Sequence, residues 1–201
     1  MYIVLGVTGS ISAYKAADIA NQLHKDGHDV HVVMTEGGCQ FITPLTMQTL
    51  SKNKVHVGEF EEYDPTIVKH IDLAGHADVV LIAPATANII GKIANGIADD
   101  LLSAVTMAAA NQAYVFIAPA MNTNMYENPI VQENLEKLRG LGYQIIEPKE
   151  AMLACGTMGK GALADVEEIV RIVETVGGIK NLCSCTKAPE EARTINRRHR
   201  Q

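Results

Sequence analysis

The feature that most constrains the fold is a pair of apolar runs that end in the same way. Residues 78–83 and residues 113–118 each lead into an Ala-Pro-Ala step that is soon followed by Asn. Unbroken apolar runs of this length are typical of strands covered on both faces of a parallel sheet. Because ligands bind beyond the carboxyl ends of such strands, residues 84–88 and 119–125 should face one shared pocket. For either run alone, a proline that merely stops the strand is the alternative.

Strand-like and helix-like segments alternate along most of the chain. This alternation predicts a parallel sheet with right-handed crossovers and helices on both faces. The predicted fold class is therefore α/β, a single doubly wound sheet of the Rossmann or flavodoxin-like type. The strand-like segments are residues 2–7, 29–34, 54–57, 78–83, 113–118 and 143–147. The helix-like segments are residues 11–25, 44–50, 101–110, 128–139 and 166–176.

Length and composition predict one domain. A chain of 201 residues with 47% hydrophobic and 20% charged residues can build a sizeable core. We assign residues 1–176 to this domain, and we expect residues 177–201, which are polar and lack periodicity, to form a disordered tail. The segment 151–164 is expected to be a glycine-containing loop.

Charge and cysteine content narrow the functional classes. The formal net charge of −6 predicts neither nucleic acid nor an anionic membrane as a partner. The short apolar run at the N-terminus has no basic region before it, so we do not read it as a signal peptide. Four scattered cysteines fit reduced thiols, and we expect a cytoplasmic protein.

The first strand-like run is followed by a turn that suits a phosphate. Gly6 and Gly9 let backbone amides approach an anion, and a helix-like segment begins directly afterwards. A structural tight turn remains the alternative, because the pattern is neither Gly-x-Gly-x-x-Gly nor a P-loop. Glu36 lies where an NAD enzyme binds its ribose, but the altered glycine pattern and Thr35 fit a flavin site better.

Three groups of residues raise the question of a metal site, and each has a simpler interpretation. Asp99 and Asp100 precede an apolar helix-like segment, where Asp is typical of an N-cap. His24 and His28 have no acidic residue that joins them, so surface histidines explain them better. The two cysteines in residues 183–185 have no second pair nearby and fall in the predicted tail. We therefore predict no metal.

Five segments, taken together, resemble the signature motifs of the flavin-dependent cysteine decarboxylases. The resemblance runs from residue 1 to about residue 176, in the same order and spacing, and excludes the tail. It covers only the decarboxylase half of the bifunctional bacterial members, so a separate synthetase is expected upstream in the pathway. The five segments are residues 6–11, 69–74, 84–88, 119–125 and 153–161.

The resemblance implies FMN as the cofactor. It also implies that the cofactor's phosphate, ribityl chain and ring are held by residues that follow the first, second and fourth strand-like runs. Because aromatic residues make up only 4% of the chain, the ring should pack on aliphatic side chains and backbone. The implied cofactor residues are Gly9, Ser10, Ile11, Thr35, Thr86, Ala87 and Asn88, with Ser103 and Thr106 on the helix-like segment that comes next.

The resemblance further implies the reaction and three catalytic residues. Flavin supplies the oxidation of the substrate's cysteine thiol to a thioaldehyde, carbon dioxide leaves, and the resulting ene-thiolate is reduced again. His70 is then the base or orienting group for thiol oxidation and decarboxylation. Asn122 holds the substrate's carboxylate or amide, and Cys155 donates the final proton.

The glycines around Cys155 suggest a loop that closes over the substrate and excludes water. Met125 matches its motif and is expected to contact the substrate. The family commonly has Arg after the Gly-x-Gly of this loop, whereas this chain has Ala162. Lys160 is the expected replacement for the missing cation, as a point charge that contacts the substrate.

The resemblance points to 4′-phosphopantothenoylcysteine, a phosphorylated small molecule that is converted to 4′-phosphopantetheine in coenzyme A synthesis. Decarboxylation of a peptide's C-terminal cysteine is one alternative. The other is a non-catalytic FMN-binding regulatory subunit, which the presence of all three catalytic residues argues against. Flavin prenyltransferases share the fold, but the Ala-Cys-Gly at residues 154–156 points away from them. A homo-trimer, or a dodecamer of trimers with sites between subunits, is implied.

Overall fold

A five-stranded parallel sheet with strand order β2-β1-β3-β4-β5 forms the centre of the protein. The computed structural model describes residues 1–58, 67–152 and 158–183, with side chains as far as residue 176. The direction of winding reverses between β1 and β3, so the topological switch point lies there. The strands of this sheet are β1 (Tyr2–Val7), β2 (Asp29–Met34), β3 (Val79–Ala85), β4 (Tyr114–Pro119) and β5 (Gln144–Ile145).

Helices cover both faces of the sheet, so the predicted doubly wound α/β fold is confirmed. Helices α1, α3 and α9 pack on one face, and α4, α5, α6 and α8 pack on the other. A short 3-10 turn (Ile11–Ala13) precedes α1. The helices are α1 (Tyr14–Lys25), α2 (Glu36–Cys39), α3 (Pro44–Ser51), α4 (Lys69–His76), α5 (Ala87–Ala94), α6 (Leu101–Ala109), α7 (Thr123–Tyr126), α8 (Pro129–Gly140) and α9 (Val166–Cys183).

The side chains of the inner strands alternate between two hydrophobic cores. Ile3 and Leu5 of β1 belong to the core under α1 and α9, whereas Val4 between them belongs to the core under α4 and α6. All three side chains are fully buried. Since successive side chains of a strand point to opposite faces, a strand with helices on both faces must be apolar throughout. This is the physical reason why the unbroken apolar runs predicted central strands correctly.

Two strand predictions differ from the structure. The segment 54–57 makes only a single parallel bridge, between His56 and Val33, so the prediction of a strand there was wrong. Of the predicted strand 143–147, only Gln144–Ile145 pairs with β4. Both segments lie at the edges of the sheet, where one neighbour is missing and pairing is easily interrupted.

The glycine-containing segment 151–164 is not the simple loop that was predicted. It contributes to an antiparallel pair formed by β6 (Lys149–Met152) and β7 (Met158–Ala162). Residues 153–157 between these strands lie outside the described residues. At the other end of the chain, α9 continues to Cys183, past the helix end predicted at residue 176. Residues 184–201 of the predicted tail also lie outside the described residues.

No helix within the described ranges is long and apolar enough to cross a bilayer.

His56, beside the edge strand β2, is a half-buried histidine that stays neutral. Its Nδ1 is buried without a hydrogen-bond partner among the described residues. Burial, followed by the positive charges of Lys69, His31 and Lys54, lowers the pKa of His56 to about 4, although Asp72 acts in the opposite direction. The unfolded chain would bind a proton at this side chain near pH 6.5.

Acidification should therefore destabilise the fold through His56. Between pH 6.5 and 4 the unfolded state binds more protons than the native state, so the free energy of unfolding falls as the pH falls. After discounting for the solvent-exposed half of the ring, we expect a loss of about 1 kcal/mol between pH 7 and pH 5. Urea unfolding of the wild type and of His56→Phe at both pH values measures it. Equal losses in the two proteins would contradict the assignment.

Candidate flavin and substrate site

Two adjoining cavities open at the carboxyl edge of the sheet. The larger has a volume of about 900 Å³ and the smaller one of about 640 Å³. Gly9, Thr86, Ala87 and Met125 line both, so the cavities form one continuous crevice. The crevice lies at the switch point between β1 and β3, where ligands of doubly wound sheets bind. The predicted meeting of residues 84–88 with residues 119–125 is confirmed.

The larger cavity is built from the ends of β1, β2 and β3. Of the predicted cofactor residues, Gly9, Thr35, Thr86, Ala87 and Asn88 line it. Val57 and Gly58, which follow the bridge at His56, form part of the opposite wall. The structure thus brings together the predicted residues that follow β1, β2 and β3, and it adds Val57 and Gly58, which the sequence analysis did not predict.

The backbone of two glycine-containing turns is exposed to this cavity. A Cβ added to Gly9 would lie 3.0 Å from the carbonyl carbon of Gly37, and one added to Gly38 would lie 2.6 Å from the backbone oxygen of Val7. Thr35 Oγ1 accepts a hydrogen bond from Gly38 N at 3.1 Å and fixes the second turn. The turns after β1 and β2 therefore meet without side chains between them. Bare backbone of this kind fits the phosphate and polyol of a nucleotide cofactor.

Thr8 connects the two strands at the switch point. Its Oγ1 donates to the backbone oxygen of Pro84 at 2.7 Å and accepts from the backbone N–H of Thr86 at 3.1 Å. The Thr86 side chain accepts in turn from Ile89 N and caps α5. The sequence analysis missed Thr8, although its place in the turn between Gly6 and Gly9 was a usable signal.

Asp100 caps helix α6, and both Asp99 and Asp100 form an ion pair with Lys92. Asp100 Oδ1 accepts from Ser103 N at 2.8 Å in a capping box, so the capping interpretation is confirmed for Asp100. Lys92 Nζ lies 2.6 Å from Asp99 Oδ1 and 2.7 Å from Asp100 Oδ2. Burial alone would raise the pKa of Asp100, but hydrogen bonds from Lys92 and Ser103 outweigh it and hold the pKa below its ordinary value. Over the described ranges, no cluster of three or more acidic, His or Cys side chains could hold a metal ion.

Ser103 and Thr106, two predicted cofactor residues, are buried within α6. The Ser103 hydroxyl belongs to the capping box, and Thr106 Oγ1 donates to the backbone oxygen of Leu102 at 2.7 Å. Neither is among the described residues that line the two cavities. Their hydroxyls are occupied by their own helix, and the geometry gives no support to cofactor contacts.

The smaller cavity lies between the start of α1 and the β6–β7 hairpin. Ser10 and Ile11, predicted as cofactor residues, and Asn122 line it together. Asn122 is the N-cap of α7, and its Oδ1 accepts from Asn124 N at 2.9 Å. Two cationic residues that the sequence analysis missed, Lys15 and Lys149, complete the wall. The Lys149 ammonium also pairs with Asp165.

His70 lies in the first turn of α4, next to a residue that contacts the wall of the larger cavity. Its neighbour Lys69 donates from Nζ to the backbone oxygen of Gly58 at 3.4 Å, and Gly58 lines that cavity. His70 itself is half-buried and is not among the described lining residues. Cys155 lies outside the described residues, on the segment that follows Met152, which lines the smaller cavity.

Lys160 contacts Glu147 in the structure, whereas the sequence analysis predicted a contact with the substrate. Its Nζ donates to Glu147 Oε2 at 2.9 Å and lies 5.4 Å from the centroid of the Tyr126 ring. It is not among the described residues that line the smaller cavity. Its predicted contact with the substrate therefore stays a prediction that this geometry does not support.

We expect Gly38→Ala to impair cofactor binding. The new Cβ would lie 2.6 Å from a backbone atom, so β1 or α2 must move and the cavity wall with it. A clash of this size should cost about 1–3 kcal/mol of stability. Absorbance of the purified protein should show reduced flavin content. In the control Gly75→Ala, nothing lies within 4 Å of the added Cβ, and flavin content should be normal. Normal flavin content in Gly38→Ala would contradict the role of the two glycine-containing turns in cofactor binding.

The comparisons with known proteins agree with this geometry. Residues 1–177 match the Flavoprotein family, and the chain belongs to that family. Within it, the resemblance to flavin-dependent cysteine decarboxylases is confirmed by both sequences and structures. The chain is 50% identical over 172 residues to a probable phosphopantothenoylcysteine decarboxylase of Streptococcus mutans, covering 86% of this chain and 96% of that protein.

A bifunctional relative is longer than this chain. The coenzyme A biosynthesis bifunctional protein CoaBC of Bacillus subtilis is 46% identical over 193 residues, which cover 96% of this chain but 46% of that protein. Among solved structures, a PPC decarboxylase mutant complexed with pantothenoylaminoethenethiol superposes with a TM-score of 0.79 at 32% identity, covering 87% of this chain and 96% of the other. The FMN-dependent cysteine decarboxylase SpaF gives a TM-score of 0.76 at 32% identity over 88% of this chain and 97% of that one.

Proposed function

We propose that the protein is an FMN-dependent decarboxylase that converts 4′-phosphopantothenoylcysteine to 4′-phosphopantetheine in coenzyme A synthesis. The observation that carries the proposal is the crevice, in which a cavity that fits a flavin adjoins a second cavity lined by Asn122, Met125 and two lysines. The likeness to the Streptococcus mutans protein supports the same activity. A separate synthetase would supply the substrate.

We assign FMN to the larger cavity. The bare backbone at Gly9 and Gly37 suits the phosphate and ribityl chain, and Thr35, Thr86, Ala87 and Asn88 surround the space beside them. The apolar walls include Met34 and Ile89, in keeping with a ring that packs on aliphatic side chains. When bound, the flavin supplies a two-electron oxidation of the substrate thiol and later returns the electrons. Titration of the apoprotein with FMN tests this assignment.

Asn122 and the two lysines suit the polar groups of the substrate. The hydrogen bond from Asn124 N fixes the Asn122 side chain at the cavity wall. There the side chain can contact the substrate's carboxylate or amide. Lys15 and Lys149 line the same cavity as Ala162, where the family's arginine is missing. Lys15 provides positive charge for a phosphorylated, carboxylated substrate, and Lys149 can add to it although its ammonium group also pairs with Asp165.

The proposed reaction explains why a redox cofactor serves a decarboxylation. Loss of carbon dioxide from a cysteine amide leaves a carbanion without an electron sink. Oxidation of the neighbouring thiol to a thioaldehyde creates a C=S group that accepts those electrons. His70 is the proposed base or orienting group for these first steps, and Cys155 is the proposed donor of the proton that completes the final reduction.

Peptides that end in cysteine are the second candidate substrates, because the resemblance to flavin-dependent cysteine decarboxylases, among which SpaF shares the fold, implies them as an alternative. The two lysines of the smaller cavity favour a small phosphorylated anion. The test is an anaerobic assay of the FMN-loaded protein with each substrate, followed by mass spectrometry. We expect the phosphorylated compound to react at least ~100-fold faster. A faster peptide reaction would replace the proposed substrate, and no carbon dioxide from either would favour a regulatory subunit.

We also propose a homo-trimer, or a dodecamer of trimers, with sites between subunits. Ile67, Val68 and Ile71, at the start of the helix that carries His70, are 44%, 49% and 56% exposed. Apolar side chains grouped in this way mark contact surfaces. Sedimentation of the flavin-loaded protein measures its mass. An active monomer at assay concentration would contradict the proposal.

A further inference from the structure

The Glu147 carboxylate, just after β5, accepts hydrogen bonds from side chains of three separate elements. Its Oε2 accepts from the Tyr126 hydroxyl of α7 at 2.9 Å and from Lys160 Nζ of β7 at 2.9 Å. Its Oε1 accepts from the Arg139 guanidinium of α8. Burial alone would raise the pKa of Glu147, but the hydrogen bonds from Lys160 and Tyr126 and the two nearby cations outweigh it and lower the pKa. The group is therefore ionised near neutral pH.

Two of these partners lie on elements that contribute to the wall of the smaller cavity. Tyr126 ends α7, whose N-cap Asn122 and whose residue Met125 line the cavity. Lys160 lies on β7, whose last residues, Gly161 and Ala162, also line it. The Glu147 carboxylate thus lies where the wall that carries Asn122 meets the hairpin.

The backbones of the two walls are also in close contact. Met121 N donates to Gly161 O at 2.9 Å. A Cβ added to Gly161 would lie 2.3 Å from Met121 O, and one added to Gly159 would lie 2.3 Å from Thr123 Oγ1. With so little space, a small shift of β7 must move the segment that begins at Asn122.

We propose that Glu147 is a positioning residue, whose carboxylate holds β7 against α7 and thereby sets the width of the substrate cavity. This inference rests on the proposed function of that cavity. Exposed ion pairs add little stability, and the Glu147 side chain is 49% exposed. Its effect is therefore on the relative placement of two walls, more than on the stability of the fold.

The same geometry gives Lys160 a different role from the predicted substrate contact. Its hydrogen bond to Glu147 is the main cause that raises the pKa of its ammonium group, and the Tyr126 ring lies beneath that group. A lysine that acts through the hairpin should affect phosphorylated and unphosphorylated substrates equally. A lysine that contacts the phosphate should affect only the phosphorylated one.

The test compares Glu147→Gln and Lys160→Met in the FMN-loaded enzyme, with 4′-phosphopantothenoylcysteine and its dephosphorylated form as substrates. We expect each variant to raise KM about tenfold for both substrates, with kcat within about twofold and normal flavin content. The double variant should be little worse than either single one, because both remove the same contact. The matched control is Glu136→Gln, since Glu136 also pairs with Arg139 but contacts no residue of the described hairpin strands.

An unchanged KM in Glu147→Gln would overturn the proposal. A loss confined to the phosphorylated substrate in Lys160→Met would also overturn it, in favour of a phosphate contact. If the wild type releases no carbon dioxide, the proposed function fails, yet the contact remains testable by amide hydrogen exchange. Faster exchange at residues 158–162 in Glu147→Gln supports the positioning role, and unchanged exchange refutes it. Lys160→Met gives the same readout if Glu147→Gln does not fold.

Discussion

His70→Asn is expected to keep the fold and the bound flavin while carbon dioxide release falls by about 10²–10⁴-fold, the usual contribution of a general acid or base. His70 lies in the first turn of α4 and is not among the described residues that line the proposed cofactor cavity. Asparagine keeps a polar side chain of similar reach but cannot take up a proton near neutral pH.

The measurement is carbon dioxide release under anaerobic conditions, with flavin absorbance recorded for the same samples. His76→Asn is the matched control, because His76 lies at the other end of α4 and is largely exposed. The control should react like the wild type. Near-normal release by His70→Asn would remove His70 from the mechanism, whereas loss of flavin in that variant would assign it to cofactor binding.

The central strands were predictable because a strand that is buried on both faces consists of an unbroken run of apolar residues. Every residue of β3 is buried, so no polar position interrupts the run, and the same holds for most of β4. The site at the ends of these strands followed from the geometry of parallel sheets, without knowledge of any contact. The N-cap at Asp100 was equally predictable from the sequence, because capping depends only on the residues immediately after it.

The β6–β7 hairpin was not predictable in the same way. Its strands do not alternate between apolar and polar residues, and β7 contains two glycines, which are unfavourable in strands. The reason for these glycines is tertiary, since any side chain at Gly159 or Gly161 would collide with the segment that begins at Met121. The sequence shows that the glycines are present but not what lies against them.

Charged residues of the site were missed for a related reason. Lys15 is an unremarkable helix residue in the sequence, and Glu147 simply follows an apolar run. Their importance depends on distant elements, because Lys15 lines the same cavity as the hairpin and Glu147 accepts hydrogen bonds from three separate elements. Ser103 and Thr106 were expected to contact the cofactor because the family resemblance implies it. Their hydroxyls make hydrogen bonds to backbone groups of their own helix and its cap, and the cofactor contact stays a prediction.

Cys155→Ser is expected to separate the two halves of the proposed reaction. In the proposed mechanism, thiol oxidation and decarboxylation need the flavin, His70 and Asn122 but not Cys155, so this variant should still bind FMN and release carbon dioxide. The final reduction should fail, because a hydroxyl is a far weaker acid than a thiol with a reference pKa near 8.5. Under anaerobic conditions the flavin should remain reduced, and the product should be two hydrogens lighter than 4′-phosphopantetheine.

Mass spectrometry of the product, together with the flavin spectrum, distinguishes the possible roles of Cys155. Cys39→Ser is the control, because Cys39 ends α2, packs against the core and is not among the described residues that line the crevice. It should give the saturated product. If Cys155→Ser also gives the saturated product, another group donates the proton. If it releases no carbon dioxide while FMN remains bound, Cys155 acts at or before decarboxylation, and its assignment to the final reduction is wrong.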